Sequence, residues 1–176
     1  LVEYLEERYR LLGIETRRFD FIWRGLPQAN LVAVIPGTLP AGLNRPVLMG
    51  DHIDTAFCED EYERTGRRIS APGADDNVSA TAALLRAAAI LKDSKPLHDI
   101  WLVHLTGEEF PPDDLGARDF LARLMKAKQD ITGLVLMDLI GWRAGKDAIF
   151  QVNPGDNRAS MSLAAEAFAA ARALKI

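Results

Sequence analysis

Val47-Leu48-Met49-Gly50-Asp51-His52-Ile53-Asp54 reads as a buried strand that ends in polar side chains. Comparable apolar runs recur at 31–36, 46–53, 99–106, 133–140 and 148–152. Helical spacing occupies the intervals: 2–12, ending at Gly13, then 78–92, 116–127 and 160–175. The later strands are nearly continuous in apolar residues, as expected when helices cover both faces of a sheet. Strands alternating with helices in this way predict an α/β layered domain. In open sheets of that class, ligands bind beyond the carboxyl ends of the strands. The polar endings of these runs are therefore where function is expected.

Composition narrows the classes. With 176 residues, 48% of them hydrophobic, the chain is sized for one domain with a real core, over 1–176. It carries 21 basic against 25 acidic residues, a formal net charge of −4, and no Arg/Lys-rich run. That balance argues against nucleic acid as the main partner. No apolar segment approaches the ~18 residues of a membrane span. Cys58 is the only cysteine, so internal disulfides and thiolate zinc fingers are excluded. The chain begins at Leu1 rather than Met, so its start says nothing about compartment.

Four strand ends carry the chemistry. His52 and Asp54 point to the same side of a strand, and a carboxylate there is suited to orient a metal-bound imidazole. Ala71-Pro72-Gly73-Ala74-Asp75-Asp76-Asn77 delivers carboxylates into the helix at 78–92, where the plain reading is a helix cap. Asn77-Val78-Ser79 within it also matches a glycosylation sequon, read as coincidental at such a turn. Gly107-Glu108-Glu109 ends the run 100–106; adjacent carboxylates repel each other unless a cation or a shared proton relieves them. Asp138 sits inside 133–141, where a lone charge is expected to be paired. Each feature has an ordinary structural explanation, yet all four agree in strand-end placement and donor type. One imidazole with several carboxylates suits a divalent cation, Zn²⁺ first, although Mn²⁺ or Co²⁺ fit the same donors. His98, in a turn, and His104, within a strand, are read as structural.

The ordered set His-x-Asp, Gly-Ala-Asp-Asp, Glu-Glu, Asp, from His52 through Gly141, resembles the co-catalytic zinc exopeptidases of the bacterial leucyl aminopeptidase and aminopeptidase Y type. The resemblance implies a mixed, mostly parallel central sheet with helices on both faces, an α/β/α sandwich. It implies two zinc ions, with Asp76 bridging them, His52 and Asp138 completing one metal, and Glu109 binding the other. Glu108 would be the general base toward a metal-activated water, and Asp54 the partner of His52. The substrate would be a peptide with a free N-terminus, and an extracytoplasmic or secreted location fits the resemblance. An unusual, sometimes cis, peptide is expected at Asp76-Asn77.

Two departures stand out. The family's second metal takes a final histidine from later in a longer domain, and this chain has none after His104. The domain is therefore expected to be incomplete at its C-terminus. Phe110-Pro111-Pro112-Asp113-Asp114-Leu115 is also a stiff extension beside the Glu pair, and Asp113 or Asp114 could face a substrate ammonium. Two alternatives remain open: a glutaminyl-peptide cyclase-like acyltransferase with a single zinc, and a catalytically inactive peptidase-like binding domain.

Overall fold

The computed structural model describes residues 1–109, 111–142 and 151–175. Ten elements follow in order: α1 Val2–Leu11, β1 Glu15–Trp23, β2 Leu26–Ile35, β3 Val47–His52, α2 Glu59–Thr65, α3 Val78–Leu91, β4 Ile100–Leu105, α4 Leu115–Ala127, β5 Gly133–Leu136 and α5 Arg158–Leu174. The chain divides into two compact units, Leu1–Trp142 and Arg143–Ile176. The second unit contributes α5, whose first turn is capped by Asn157 accepting from the Ser160 amide at 2.9 Å. No helix among the described residues is long and apolar enough to cross a membrane.

In the first unit, one five-stranded sheet has the order β1-β2-β4-β3-β5. β1–β2 and β2–β4 pair antiparallel, whereas β3 pairs parallel with both β4 and β5. The sheet is therefore mixed, and its parallel half holds every polar strand end singled out above. β2 is buried without interruption from Ala29 to Ile35 because both its faces are covered. Leu31, Ala33 and Ile35 pack with Leu5, Tyr9, Leu84, Ala88 and Leu102 on the α1/α3 face. Val32 and Val34 pack with Leu48, Val103 and Phe120 on the α4 face. The period-two alternation of a strand thus builds two cores from one segment.

Several expectations needed correction. β1 forms a hairpin with nearly the whole of β2, from Leu26 to Val34, and apolar patterning did not reveal it because β1 is mostly solvated. Its two-residue turn, Arg24-Gly25, has positive φ at both positions (48° and 78°), the requirement of a tight hairpin turn. α2 was also unanticipated. The strand expected over 133–140 stops at Leu136, and its last three residues are exposed. One further ladder bond, Met137 N–H to Gly50 O at 2.9 Å, precedes a turn through Leu139 at φ 49°. Of the run at 148–152, residues 148–150 lie outside the described residues, and 151–152 are not strand.

Gly116, at the start of α4, cannot accept a side chain. A Cβ there would lie 2.1 Å from the Thr106 carbonyl oxygen and 2.6 Å from Asn30 Oδ1. Asn30, fully buried in β2, donates to the Gly116 carbonyl at 2.9 Å and accepts from the Thr106 amide at 3.0 Å. This clamp closes the loop that carries the Glu pair. Gly116→Ala is expected to cost at least about 3 kcal/mol, because backbone rather than a flexible side chain must move. Denaturant unfolding checks it; an unchanged midpoint would show that the helix start yields freely.

Candidate metal centre

The parallel arrangement of β3, β4 and β5 brings their carboxyl ends together, and the turn before α3 reaches over them. His52, the last residue of β3, is buried and lies at the middle of the group. Its Nε2 stands 3.0 Å from Asp76 Oδ1, 3.4 Å from Asp138 Oδ1 and 3.9 Å from Glu108 Oε2. Two sets of three residues bring one potential ligand atom each within 4.8 Å of one another: His52, Asp76, Asp138 and His52, Glu108, Glu109. All six singled-out residues, Asp54 included, meet at one place, although they span 87 positions of the chain from His52 to Asp138.

Each side chain is held by its backbone setting. The Asp54 carboxylate accepts from the amides of both Glu108 and Glu109 at 3.1 Å. Its Oδ1 lies 3.7 Å from His52 Nδ1, an ion-pair distance too long for a hydrogen bond. Asp54 therefore orders the Glu-Glu turn as well as facing the imidazole, a second role that its spacing alone did not disclose. Beyond that turn, the amides of Asp113, Asp114, Leu115 and Gly116 donate in sequence to the carbonyls of Glu109, Glu108, Gly107 and Thr106. The loop is thus laced shut along its length, with Pro111 and Pro112 at its tip; Phe110 lies outside the described residues.

The Asp76-Asn77 peptide is cis, as the resemblance implies. Asn77 is buried, and its Nδ2 donates to the Met137 carbonyl at 3.0 Å, so the sequon is committed to the interior. Asp75 acts on a different segment, since its Oδ1 accepts from the Gly141 amide at 2.6 Å. Ser79 Oγ donates to the Asp75 carbonyl at 2.7 Å and accepts from the Ile140 amide at 3.2 Å. Together Asp75 and Ser79 shape the turn that presents Asp138. Asp138 is half-exposed and follows the strand rather than lying inside it.

The electrostatics are those of an acidic cage. Burial alone would lower the His52 imidazole, but the facing carboxylates of Asp54, Glu108 and Asp138 outweigh it and raise it to about 9. Glu108 is pushed up, first by burial and then by Asp114, Asp138 and Asp54, against the opposing pull of His52. Glu109 is raised by burial, Asp76 and Glu108. Asp54 moves the other way: His52 and the two Glu-turn amides outweigh the effect of its burial.

A cation fits this cage. Asp76 Oδ1, which faces the cage, is buried with no hydrogen-bond partner among the described residues. Donor atoms about 2.0–2.1 Å from a tetrahedral zinc stand roughly 3.4 Å apart. The separations of His52 Nε2 from Asp76 and Asp138, 3.0 and 3.4 Å, match that requirement.

Residues 30–175 match the model of peptidase family M28. The chain belongs to that family. A curated relative, the uncharacterised Escherichia coli protein YfbL, is 28% identical over 144 residues, covering 80% of this chain and 41% of that protein. A glutaminyl cyclase from an Acidobacteriales bacterium is similar in structure at a TM-score of 0.61 and 25% identity, over 79% of this chain and 49% of that one. A leucine aminopeptidase precursor from Bacteroides thetaiotaomicron superposes at 0.65 with 16% identity, over 79% of this chain and 53% of its own. A Zn-dependent exopeptidase from Parabacteroides distasonis does so at 0.64 with 20% identity, over 80% and 53%. The chain thus spans about half the length of these proteins.

Proposed function

We propose that this protein is a zinc-dependent exopeptidase, and specifically an aminopeptidase that releases residues from peptides with a free N-terminus. The reading is carried by one observation: His52 Nε2 converges with the Asp76 and Asp138 carboxylates at zinc-ligand separations, with Glu108 beside them at 3.9 Å. His52, Asp76 and Asp138 would hold one zinc, and Asp76 would share a second with Glu109. Zinc held there supplies a Lewis acid toward the scissile carbonyl and lowers the pKa of water.

The chain's own groups supply the proton chemistry. Glu108 accepts the proton of the attacking water and returns it to the departing amine, which needs a carboxyl raised toward neutrality. In the metal-free protein, burial and the neighbouring carboxylates move Glu108 in that direction. Asp54, holding both amides of the Glu pair, fixes where the Glu108 carboxyl can reach. The Bacteroides aminopeptidase and the Parabacteroides zinc exopeptidase support peptide hydrolysis on this fold.

The 25% identity with a glutaminyl cyclase favours a second reading, acyl transfer within the peptide at a single zinc. The two are separated by counting zinc per chain in the native protein and supplying peptides that begin with Leu or with Gln. Hydrolysis is expected to release free leucine with two zinc ions bound. Ammonia and a pyroglutamyl product from the Gln peptide, with one zinc, would select the cyclase; zinc without either product would leave a binding domain.

A further inference from the structure

A second polar assembly lies directly beneath the cage, on the α1/α3 face of the sheet, and none of its members is a candidate ligand. Tyr9 Oη is 2.7 Å from His104 Nε2, and His104 Nδ1 is 2.7 Å from Asp51 Oδ1. Thr81 Oγ1 donates to Asp51 Oδ2 at 2.6 Å. Tyr9, His104 and Asp51 are wholly buried and Thr81 nearly so. Burial raises the Tyr9 phenol, with the Asp51 charge adding to it, so the hydroxyl keeps its proton. A buried hydroxyl with one polar neighbour donates to it; Nε2 then accepts, and the Nδ1–H is left to donate to Asp51. One proton serves each of the three links, and both Asp51 oxygens are used.

Four elements meet in this chain of hydrogen bonds: α1, β4, β3 and α3. Its ends run to the backbone of the cage. Asp51 immediately precedes His52. The Thr81 amide donates to the carbonyl of Asn77 at 3.2 Å, and Asn77 immediately follows Asp76. Asn77 in turn donates to the carbonyl of Met137, which immediately precedes Asp138. His52 is therefore next in sequence to a member of the assembly, Asp76 next to a residue that it holds, and Asp138 next to a residue one hydrogen bond further on. Packing alone does not explain a buried Asp–His pair, because well-packed apolar residues of similar volume are often equally stable.

The geometry points to Tyr9, His104, Asp51 and Thr81 as positioning residues that preset the spacing of His52, Asp76 and Asp138 for zinc. This rests on the metal-centre reading above. Outer groups that orient metal ligands typically govern affinity by about 10–100-fold. The test is a zinc competition titration against a chelating dye on the metal-free full-length protein, with thermal melting of the same samples.

Thr81→Val keeps the shape and removes the hydroxyl; Asp51→Asn keeps the shape but leaves one accepting oxygen where the His104 Nδ1–H and the Thr81 hydroxyl need two. Either is expected to weaken zinc by at least about tenfold while the melt stays cooperative, and Thr81→Ser is expected to restore wild-type affinity. If Asp51→Asn does not fold, the Thr81 pair decides the matter. Phe120→Leu, on the opposite face of the sheet, supplies destabilisation without touching the assembly, and its zinc affinity is expected to equal wild type. Wild-type affinity in Thr81→Val, or a loss as large in Phe120→Leu, overturns the positioning role. A wild-type protein that binds no zinc overturns the metal-centre reading instead, and the two failures are read from different samples.

Discussion

Glu108→Ala is expected to abolish peptide hydrolysis while zinc stays bound. Loss of a positioned general base costs about 10²–10⁴ in rate. The effect should sit at the upper end here, since the neighbouring carboxylates are committed elsewhere. Asp54 is occupied by two backbone amides, and Asp76 and Asp138 face the imidazole. Glu109 comes nearest to replacing the base, but its backbone is fixed one position along the same clamped turn, so its carboxyl starts from a different point. Zinc should be retained because His52, Asp76 and Asp138 form a complete set of three without Glu108. Folding should survive as well. Burial and like charge both disfavour the ionised Glu108, so its removal relieves repulsion. The checks are kcat on a Leu-initial peptide, zinc per chain, and the melting curve of the variant. Retained turnover, or loss of zinc together with activity, would sink the assignment of base to Glu108.

The residues of the cage are legible in the sequence because the constraint is local. A charge at the end of an apolar run is conspicuous wherever the run ends, and His52, Glu109 and Asp138 each announce themselves in this way. The placement of Asp138 misleads for the same reason. Leu139 and Ile140 continue the apolar run, and nothing in their composition records that the chain turns there through a left-handed residue held by Asp75 and Ser79. Helices α1, α3 and α4 match their sequence patterns to within a residue or two, since each buries one apolar stripe. β1 escapes because its apolar alternation is short, Phe19, Phe21 and Trp23 with Ile22 between them, on an edge strand exposed along much of its length. His104 lies buried within a strand, and its partners cannot be read from the sequence: Tyr9 lies 95 positions away and Asp51 53. Long-range hydrogen bonds leave no periodicity in a sequence. Asp51 likewise passes as one more polar residue at a strand end.

Removing the metal should give the protein an unusual pH dependence, with stability falling on the alkaline side of neutrality. The unfolded imidazole titrates near 6.5, whereas the carboxylate cage raises His52 to about 9 in the fold. A group raised in this way stabilises the folded protein fully below about pH 6.5, and that contribution disappears as pH climbs through 9. Glu108 and Glu109, also raised, act in the same direction from the ordinary carboxylate range upward, because their ionised forms are less welcome in the fold than in the open chain. Asp54 alone opposes them, and only in acid, since its lowered carboxyl adds stability above the ordinary carboxylate range. From pH 6.5 to 9 the metal-free protein should therefore lose on the order of 2 kcal/mol, a figure reduced for the solvent exposure of Glu108 and Asp138. Zinc inverts the slope. It needs the deprotonated imidazole, so its affinity should rise by about tenfold per pH unit over the same interval until His52 is neutral. Urea unfolding at pH 6.5 and pH 9, with and without zinc, measures both effects. A metal-free protein equally stable at the two values would mean that the carboxylates do not confront His52 in solution as they do in the structure. The convergence of donors on which the zinc reading depends would go with them.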